Sequence, residues 1–167
     1  MSNLRRYKTD CNHYFITNVT YKRMPILVKN GDLMMSAIKS LQKRENVSII
    51  AFVVLSDHFH MLIDTQKLDI SKILQKIKMN FGALYRDRMN MKAGRIWQNR
   101  FWDHIIRNQE DLNRHIDYIH YNPVKHGYAP NLSDWKYSSI NKYKKDGYYS
   151  DDWGQREEFV FDGNYGE

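Results

Sequence analysis

Cysteine and long apolar segments are both nearly absent from this 167-residue sequence. Cys11 is its only cysteine, which excludes an intramolecular disulfide and a cysteine-rich zinc site and suits a reducing compartment. The apolar runs, such as Ile49–Leu55, are far too short to span a bilayer, and the first ten residues lack the apolar stretch of a signal peptide. We therefore expect a cytoplasmic protein without a membrane partner.

Internal repeats, linkers and low-complexity tracts are also missing, and this length suffices for one domain with its own hydrophobic core. We assign this domain to residues 1–150. Residues 151–167 form an acidic, glycine-containing tail whose composition is typical of disorder, although its aromatic residues would let it dock on the domain.

Acidic residues are scarce in the body of the chain and concentrated in the tail. Residues 1–150 hold 25 basic and 13 acidic groups, a net charge of +12, whereas residues 151–167 hold six acidic groups and one arginine. A body of this charge attracts polyanions, so nucleic acid is the leading class of partner. A lysine-rich, solvated surface without a partner is the alternative.

Hydrophobic periodicity predicts the order strand, helix, strand, strand, helix, strand, helix. This order matches the split βαβ, ferredoxin-like arrangement of the α+β class, with one extra helix at its carboxyl end. The last helix should begin at a capping Asn108 and end about Asn122, because Pro123 cannot extend it comfortably, and a loop should follow. The predicted elements span residues 13–21, 31–46, 47–56, 58–65, 69–92, 100–106 and 108–122.

Two histidines stand one residue apart in the third predicted strand, in the stretch HFHM. Alternate side chains of a strand project from the same face, so His58 and His60 share one face while Phe59 and Met61 take the other. Two imidazoles side by side on a rigid strand can bind one divalent cation, with oxygen groups or water in the remaining positions. Two hydrogen-bonded sheet histidines are the alternative, but the place beside a hairpin turn favours the metal site.

The last helix carries a tyrosine and an asparagine on the same flank. At about 100° per residue Tyr118 and Asn122 lie together, with His115 beside them, while Tyr121 points almost directly away from the buried stripe. If this flank faces the two histidines, Asn122 can offer a third metal ligand and Tyr118 its hydroxyl. A packing tyrosine and a helix-ending asparagine are the alternative.

Together the two motifs describe a chemistry that neither indicates alone. A phenol with a pKa near 10 is a poor nucleophile, but a divalent cation that holds a phosphodiester and neutralises its developing charge makes attack by tyrosine feasible. The product is a phosphotyrosine link, whose retained energy allows religation without a nucleotide cofactor.

The same residues resemble a known family. HFHM is similar to the histidine–hydrophobic–histidine motif of the HUH single-strand endonucleases, and YIHYN to the tyrosine–asparagine helix of their single-tyrosine transposases. IWQNRFWDHIIR, HIDYIHYNPVKHG and DWKYSS resemble successive motifs of the REP-associated tyrosine transposases, and the resemblance runs from Tyr14 to Ser139. It implies a ferredoxin-like fold, Mg²⁺ or Mn²⁺ dependence, and cleavage and rejoining of single-stranded palindromic DNA hairpins through a 5′ phosphotyrosine.

Carried over residue by residue, the resemblance makes Tyr118 the nucleophile and His58, His60 and Asn122 the metal ligands. It implies a DNA-associated, cytoplasmic enzyme and leaves a homodimer open.

Two positions depart from the family pattern. Ser56–Asp57 replaces a proline–asparagine pair before the histidines and could add a carboxylate near the metal. His126 stands where the family usually has a small residue, and could alter the loop after the helix. Neither departure touches the residues that receive catalytic roles, and the family pattern does not explain the acidic tail.

Single-strand recognition needs a positive track and flat side chains on which bases can stack. Candidates occur in the amino-terminal arm, on the long helix and before the fourth strand, and for each of them a solvated or core position is equally compatible with the sequence. These candidates are Arg5, Arg6, Lys8, Lys72, Lys76, Arg95, Trp97 and Arg100.

Two other functions are compatible with these residues. A ferredoxin-like sheet can bind single-stranded nucleic acid without catalysis, and loss of cleavage in Tyr118→Phe would separate that function from a transposase. A metal-dependent hydrolase could activate water with His58, His60 and a carboxylate such as Asp57, and it would turn over without a covalent adduct. The transposase hypothesis alone predicts a trapped protein–DNA adduct.

Overall fold

A computed structural model describes residues 12–154 and 159–167, and its centre is a four-stranded antiparallel sheet. The strands are β1 (His13–Val19), β2 (Ser48–Val54), β3 (His58–Asp64) and β4 (Trp102–Ile105). Side by side they follow the order β2–β3–β1–β4.

Four helices complete the fold: α1 (Gly31–Arg44), α2 (Ile70–Arg88), α3 (Gln109–Lys125) and the short α4 (Ile140–Lys145). With α1 between β1 and β2, and α2 between β3 and β4, the strand order confirms the predicted ferredoxin-like α+β fold. Among the described residues, no helix is both long and apolar enough to cross a membrane.

The two faces of the sheet are covered by different helices, and alternation along β3 decides which residues meet which layer. Phe59 and Met61 point into the larger core, which they share with α1 and α2. Leu62 belongs to a second core, beneath α3 on the opposite face. His58 and His60 lie on the face of Leu62, so α3 covers them.

Helix α3 is anchored at its amino end by one buried carboxylate. The Asn108 side chain accepts a hydrogen bond from the Asp111 N–H at 2.8 Å, which confirms the predicted cap. The Asp111 carboxylate in turn accepts hydrogen bonds from His104 Nε2 at 2.8 Å and from the Arg107 backbone N–H at 3.0 Å. Because His104 belongs to β4, these bonds fix the direction of α3 across the sheet.

We expect Asp111→Asn to destabilise the fold by about 2 kcal/mol at neutral pH, because an amide cannot match the charge-assisted hydrogen bonds from His104 and Arg107. Burial acts to raise the pKa of Asp111, but these hydrogen bonds outweigh it and lower the pKa to about 2. A lowered pKa in the folded state contributes stability that is complete above the unfolded value, near 4, and is lost as the pH falls toward 2. Urea unfolding at pH 7 and at pH 3 should therefore show a smaller acid-induced loss in the variant than in the wild type.

The exposed Asp134 provides the control, since Asp134→Asn should leave the urea midpoint unchanged at both pH values. Equal urea midpoints for Asp111→Asn and the wild type at pH 7 would contradict the prediction that Asp111 stabilises the fold by anchoring α3.

Helix α3 continues past Pro123 to Lys125, so the prediction that it ends about Asn122 was wrong. Proline removes only its own N–H from the helix, and the next turn still closes because the His126 N–H donates to the Asn122 carbonyl at 3.0 Å. The helix stops before Gly127, whose φ of +68° is one that glycine adopts without strain. The additional turn places Lys125 over the sheet.

The segment after α3 is more ordered than the predicted loop. It contains a 3₁₀ turn at Leu132–Asp134, followed by α4, which the sequence analysis did not predict. Ile140 at the start of α4 is fully buried in a small core with Leu132 and Tyr121. This core holds the carboxyl-terminal third of the chain against α3.

Candidate active site

His58 and His60 begin β3 directly after the hairpin turn, and both are buried, with 2% and 0% of their surface exposed. Their ring centroids lie 5.0 Å apart on the face that α3 covers. The two rings therefore share one face, as strand alternation predicts.

The Nδ1 atoms of both histidines are hydrogen-bonded to neighbours, which holds the rings in place. His60 Nδ1 lies 2.7 Å from the Thr17 hydroxyl, which donates its own proton to the Tyr165 carbonyl and so accepts one from His60. His58 Nδ1 lies 2.6 Å from an Asp57 carboxylate oxygen, which can only accept. Each Nδ1 therefore carries a proton, and Nε2 is the ring nitrogen that each histidine directs to the space beside α3.

The protonation states of these groups agree with that arrangement. Burial lowers the pKa of His60 to about 4, although the nearby Glu167 carboxylate acts in the opposite direction, so the ring is neutral at pH 7. Partial burial acts to raise the pKa of Asp57, but the hydrogen bond from His58 and the Arg23 guanidinium at 3.1 Å lower it overall. Asp57 is therefore ionised beside the His58 ring.

Asp57 contacts the His58 ring from the side that faces away from the centre of the site. Its carboxylate contacts the Nδ1 of His58, on the side of the ring away from the converging Nε2 atoms. Carboxylates in this position orient metal-binding imidazoles and raise their basicity. Asp57 thus supports the His58 ring, and its carboxylate does not face the centre of the site, where the hydrolase alternative would need it.

Tyr118 and Asn122 face the histidines from α3, and both are buried. The Tyr118 ring lies edge-on to the His60 ring, with centroids 5.3 Å apart. Among the described residues, neither Asn122 Oδ1 nor His58 Nε2 has a hydrogen-bond partner, although both atoms are buried. Orphaned buried acceptors are uncommon, and a bound cation would satisfy both.

Tyr121 lies away from this centre. It packs in the small core with Leu132, and its ring lies 5.1 Å from the Phe159 ring. Because α3 stays helical through Pro123, Tyr121 does not swing toward the histidines. The geometry favours Tyr118 over Tyr121 as the nucleophile.

His115 belongs to the anchor of α3 and not to the centre of the site. Together with His104 and Asp111 it forms a second group of potential metal ligands. His104 Nε2 is hydrogen-bonded to the Asp111 carboxylate, and His115 Nδ1 lies 2.7 Å from the Asp111 carbonyl. Both histidines are therefore already hydrogen-bonded to Asp111, and the three residues serve to orient α3.

The space between the histidines and α3 holds the Glu167 carboxylate. The Tyr118 hydroxyl donates a hydrogen bond to Glu167 Oε1, so the predicted nucleophile contacts this oxygen. One oxygen atom thus stands where five side chains converge, and its position marks the centre of the site. The other four distances to Oε1 are 3.0 Å from His60 Nε2, 3.1 Å from Asn122 Nδ2, 3.3 Å from His126 Nε2 and 3.8 Å from His58 Nε2.

The tail residues before Glu167 cover the Tyr118 ring. The Tyr165 ring stacks on the Tyr118 ring with centroids 3.7 Å apart and planes 10° apart, and the Phe161 ring meets it edge-on at 5.3 Å. Burial raises the pKa of Tyr118, and the Glu167 carboxylate raises it further. The phenol is therefore protonated in this arrangement and needs help to react.

Lys125 is a member of the site that the sequence analysis missed. Its Nζ lies 3.1 Å from the Tyr118 hydroxyl oxygen, 2.7 Å from Glu167 Oε2 and 4.8 Å from the centre of the Tyr118 ring. Seven residues separate Lys125 from Tyr118, about two helical turns, so both project from one side of α3. The spacing was a usable signal, but the helix had been predicted to end at Asn122.

Among the residues that the structure describes, those predicted to bind single-stranded DNA do not form one track around this centre. Arg5, Arg6 and Lys8 lie outside the described residues. Lys72 and Lys76 are exposed on α2, which packs on the opposite face of the sheet from the histidines.

The candidates before β4 divide between core and surface. Trp97 is 7% exposed and packs edge-on against Phe59 at 5.7 Å, so the structure gives it the core position that the sequence left open. The Arg95 guanidinium lies 4.5 Å over the Tyr21 ring, and Arg100 is exposed. The two arginines can reach a ligand in this arrangement, whereas the Trp97 ring cannot.

Comparison with known proteins agrees with this geometry. Residues 8–122 match the family described as "Transposase IS200 like". A curated REP-associated tyrosine transposase of Escherichia coli (strain K12) is 35% identical over 156 residues, which cover 92% of this chain and 91% of that protein. A curated relative from Haemophilus influenzae is 34% identical over 165 residues and covers 92% of this chain and 94% of its own length.

A solved structure also matches this fold and this family. The structure of a REP-associated tyrosine transposase bound to a REP hairpin matches with a TM-score of 0.84 at 34% identity, covering 100% of this chain and 98% of that one. The chain therefore belongs to the IS200-like transposases, in the group of REP-associated tyrosine transposases, and is an enzyme of DNA strand cleavage and transfer.

Proposed function

We propose that this chain cleaves and rejoins single-stranded hairpin DNA through a covalent link between Tyr118 and a 5′ phosphate. The observation that carries the proposal is the convergence of the Tyr118 hydroxyl, two imidazole Nε2 atoms and the Asn122 side chain on the position of Glu167 Oε1. A nucleophile and a set of metal ligands around one anionic oxygen are the parts that phosphoryl transfer needs.

His58, His60 and Asn122 are the residues proposed to hold the divalent cation on which this family depends. The orphaned His58 Nε2 and Asn122 Oδ1 fit such an ion, because both are buried acceptors. His60 Nε2 lies 3.0 Å from Glu167 Oε1, so this nitrogen also faces the centre of the site. Mg²⁺ or Mn²⁺ bound here would neutralise negative charge on the scissile phosphate.

Tyr118 and Lys125 carry out the chemistry proposed for the chain itself. The Tyr118 oxygen forms a bond to phosphorus while the bond from phosphorus to the 3′ oxygen breaks. The phenol proton passes to solvent water, and the leaving 3′ oxygen takes a proton from solvent to become a hydroxyl. The Lys125 ammonium, 3.1 Å from the attacking oxygen, stabilises the negative charge that develops as the phenol loses its proton. Attack by a 3′ hydroxyl on the phosphotyrosine reverses these bonds and restores Tyr118.

The proposed substrate is a REP-type hairpin in single-stranded DNA, acted on in the cytoplasm. The relative solved with a REP hairpin supports this choice, and the net charge of +12 on residues 1–150 favours a polyanion. The Glu167 carboxylate also shows how an oxyanion binds in the site, with one oxygen near the histidines and the other 2.7 Å from Lys125. A phosphate can make the same contacts once that carboxylate has left.

We expect a labelled single-stranded REP-type hairpin, incubated with the full chain and Mg²⁺ or Mn²⁺, to form an adduct that survives a denaturing gel. The matched linear duplex should form none, because Tyr118 is buried and a stiff, paired duplex reaches a buried hydroxyl less readily than a flexible single strand does. Binding of the hairpin should weaken steeply with added salt as phosphate counterions are released.

Chelation of the metal is the control for this experiment and should prevent the adduct. Equal adduct formation with linear duplex would contradict the proposal that the substrate is a single-stranded hairpin. Tight hairpin binding without any adduct in either metal would identify a non-catalytic binding module instead.

A further inference from the structure

His126 is the first residue after α3, and it adds a third imidazole to the site. Its Nε2 lies 3.3 Å from Glu167 Oε1, almost as close as Asn122 Nδ2 at 3.1 Å. Its ring lies edge-on to the His58 ring with centroids 5.6 Å apart, and it stacks on the Tyr128 ring at 5.6 Å. His126 therefore faces the same carboxylate oxygen as the two histidines of the sheet, although it comes from another element.

The oxygen at the centre of the site is surrounded much as a metal ion would be. Imidazole nitrogens of His60, His126 and His58 lie 3.0, 3.3 and 3.8 Å from it. Since bonds from imidazole to a transition metal are about 2.0–2.1 Å, an ion bound by all three imidazoles lies closer to the fixed rings of His58 and His60 than this oxygen does, and His126 must move inward to reach it. His126 can make this movement, because 28% of its side chain is exposed and it lies beyond the end of the helix.

The sheet histidines and His126 differ in how they are held. His58 and His60 are fixed by Asp57 and Thr17, so their Nε2 atoms define one side of the site. His126 approaches the central oxygen from the helix side, next to Asn122. The four side chains thus approach the position from β3 and from the carboxyl end of α3, and a position for the phosphate stays open, as a catalytic metal site requires.

We propose that His126 is a third imidazole ligand of the divalent cation in the active site. The inference rests on the proposed metal site of His58, His60 and Asn122. It extends the ligands to three imidazole nitrogens and one amide oxygen, with the Asn122 amide turned so that Oδ1 takes the place of the Nδ2 that contacts Glu167. Imidazole-rich sets suit Co²⁺, Ni²⁺ and Zn²⁺, whereas Mg²⁺ prefers oxygen ligands in octahedral geometry. The site should therefore bind Co²⁺ far more tightly than Mg²⁺, and His126 should account for much of the difference.

The test compares the full-length wild type with His126→Ala, without DNA. Calorimetric titration with Co²⁺ should show affinity lower by about tenfold or more in the variant, while Mg²⁺ affinity changes by less than about threefold. Pulsed EPR of bound Mn²⁺ should count three imidazole nitrogens in the wild type and two in the variant. His13→Ala, which removes an exposed histidine at the start of β1, is the matched control and should leave both readouts unchanged.

Glu167→Gln separates direct ligation from an ion pair with the tail. If His126 binds the ion itself, the count of three nitrogens persists in this variant, whereas a count of two there would show that His126 is held only by the carboxylate and would overturn the inference.

The failure of this inference can be told apart from failure of the proposed metal site. A wild type that binds no Co²⁺ and no Mn²⁺ would refute the site of His58, His60 and Asn122, and His126 with it. Binding in the wild type with two imidazole nitrogens, unchanged in His126→Ala, would refute the role of His126 alone. Thermal melting of each variant checks that the fold is retained, as expected for a partly exposed side chain.

Discussion

Tyr118→Phe should abolish the covalent protein–DNA adduct and reduce cleavage of a hairpin by about 10³-fold or more, because phenylalanine has no oxygen to bond to phosphorus. The hydroxyl lost in this variant contacts Lys125 Nζ and Glu167, both at the centre of the site. The proposed metal ligands and the side chains proposed to contact phosphate remain, so hairpin affinity should stay within about threefold of the wild type. Single-turnover cleavage and denaturing gels measure the first effect, and fluorescence anisotropy measures the second.

The same substitution three residues later provides a matched control. Tyr121→Phe also removes one hydroxyl from α3, but its ring lies in the small core with Leu132 and 5.1 Å from the Phe159 ring. Cleavage and adduct formation should therefore persist in that variant. Peptide mapping of the wild-type adduct should place the DNA on Tyr118. DNA on Tyr121, with adduct still formed by Tyr118→Phe, would overturn the assignment.

The loss of the hydroxyl should not unfold the protein. The Tyr118 ring keeps its stacking on Tyr165 and its contacts with Phe15 and His60. Removing one hydrogen-bonding group typically costs about 1 kcal/mol, which melting of the variant can confirm. A loss of activity with a nearly unchanged melting temperature therefore reports on chemistry and not on folding.

Short-range periodicity was sufficient to predict most of the fold. It also predicted which site residues share one face of a strand or one flank of a helix. Alternation along β3 placed His58 and His60 together, and the helical repeat placed Tyr118 beside Asn122. Both patterns depend only on the geometry of one element. What they could not decide was which face of the sheet α3 would cover, and the family resemblance supplied that step.

The parts of the site that the sequence analysis missed depend on tertiary contacts or on one wrong boundary. Lys125 was excluded because the helix was ended before Pro123, although a proline removes only one hydrogen bond from a helix. Thr17 lies opposite His60 only through the β1–β3 register, which no local motif specifies. Glu167 reaches His60 across 107 residues, and no periodic signal links two positions so far apart.

Trp97 shows the limit of reasoning from residue type. An aromatic residue between two arginines is typical of a nucleic-acid surface, yet its indole Nε1 donates to the Lys78 carbonyl at 3.2 Å within the core of α1 and α2. Composition cannot separate these cases, because both use a large flat ring with one polar atom.

Replacing His58 and His60 together by alanine should abolish metal binding and eliminate metal-dependent cleavage. The two imidazoles supply the nitrogen ligands of the sheet, and Asn122 with any remaining ligand cannot hold a divalent ion at micromolar concentration. Calorimetric titration with Mn²⁺ measures the first effect, and the adduct assay with the same hairpin measures the second. Full activity in the double variant would remove the metal site from the mechanism.

The fold should survive this double substitution, because the residues between and around the histidines carry the core. Phe59 and Met61 point to the opposite face and are fully buried there, so β3 keeps its packing against α1 and α2. Asp57 keeps its ion pair with Arg23 at 3.1 Å, and the Thr17 hydroxyl still donates to the Tyr165 carbonyl. We expect a loss of about 2–4 kcal/mol from the two truncated side chains, since both are buried. Circular dichroism and urea unfolding should show a cooperative transition at a lower midpoint, which separates loss of the metal from loss of the structure.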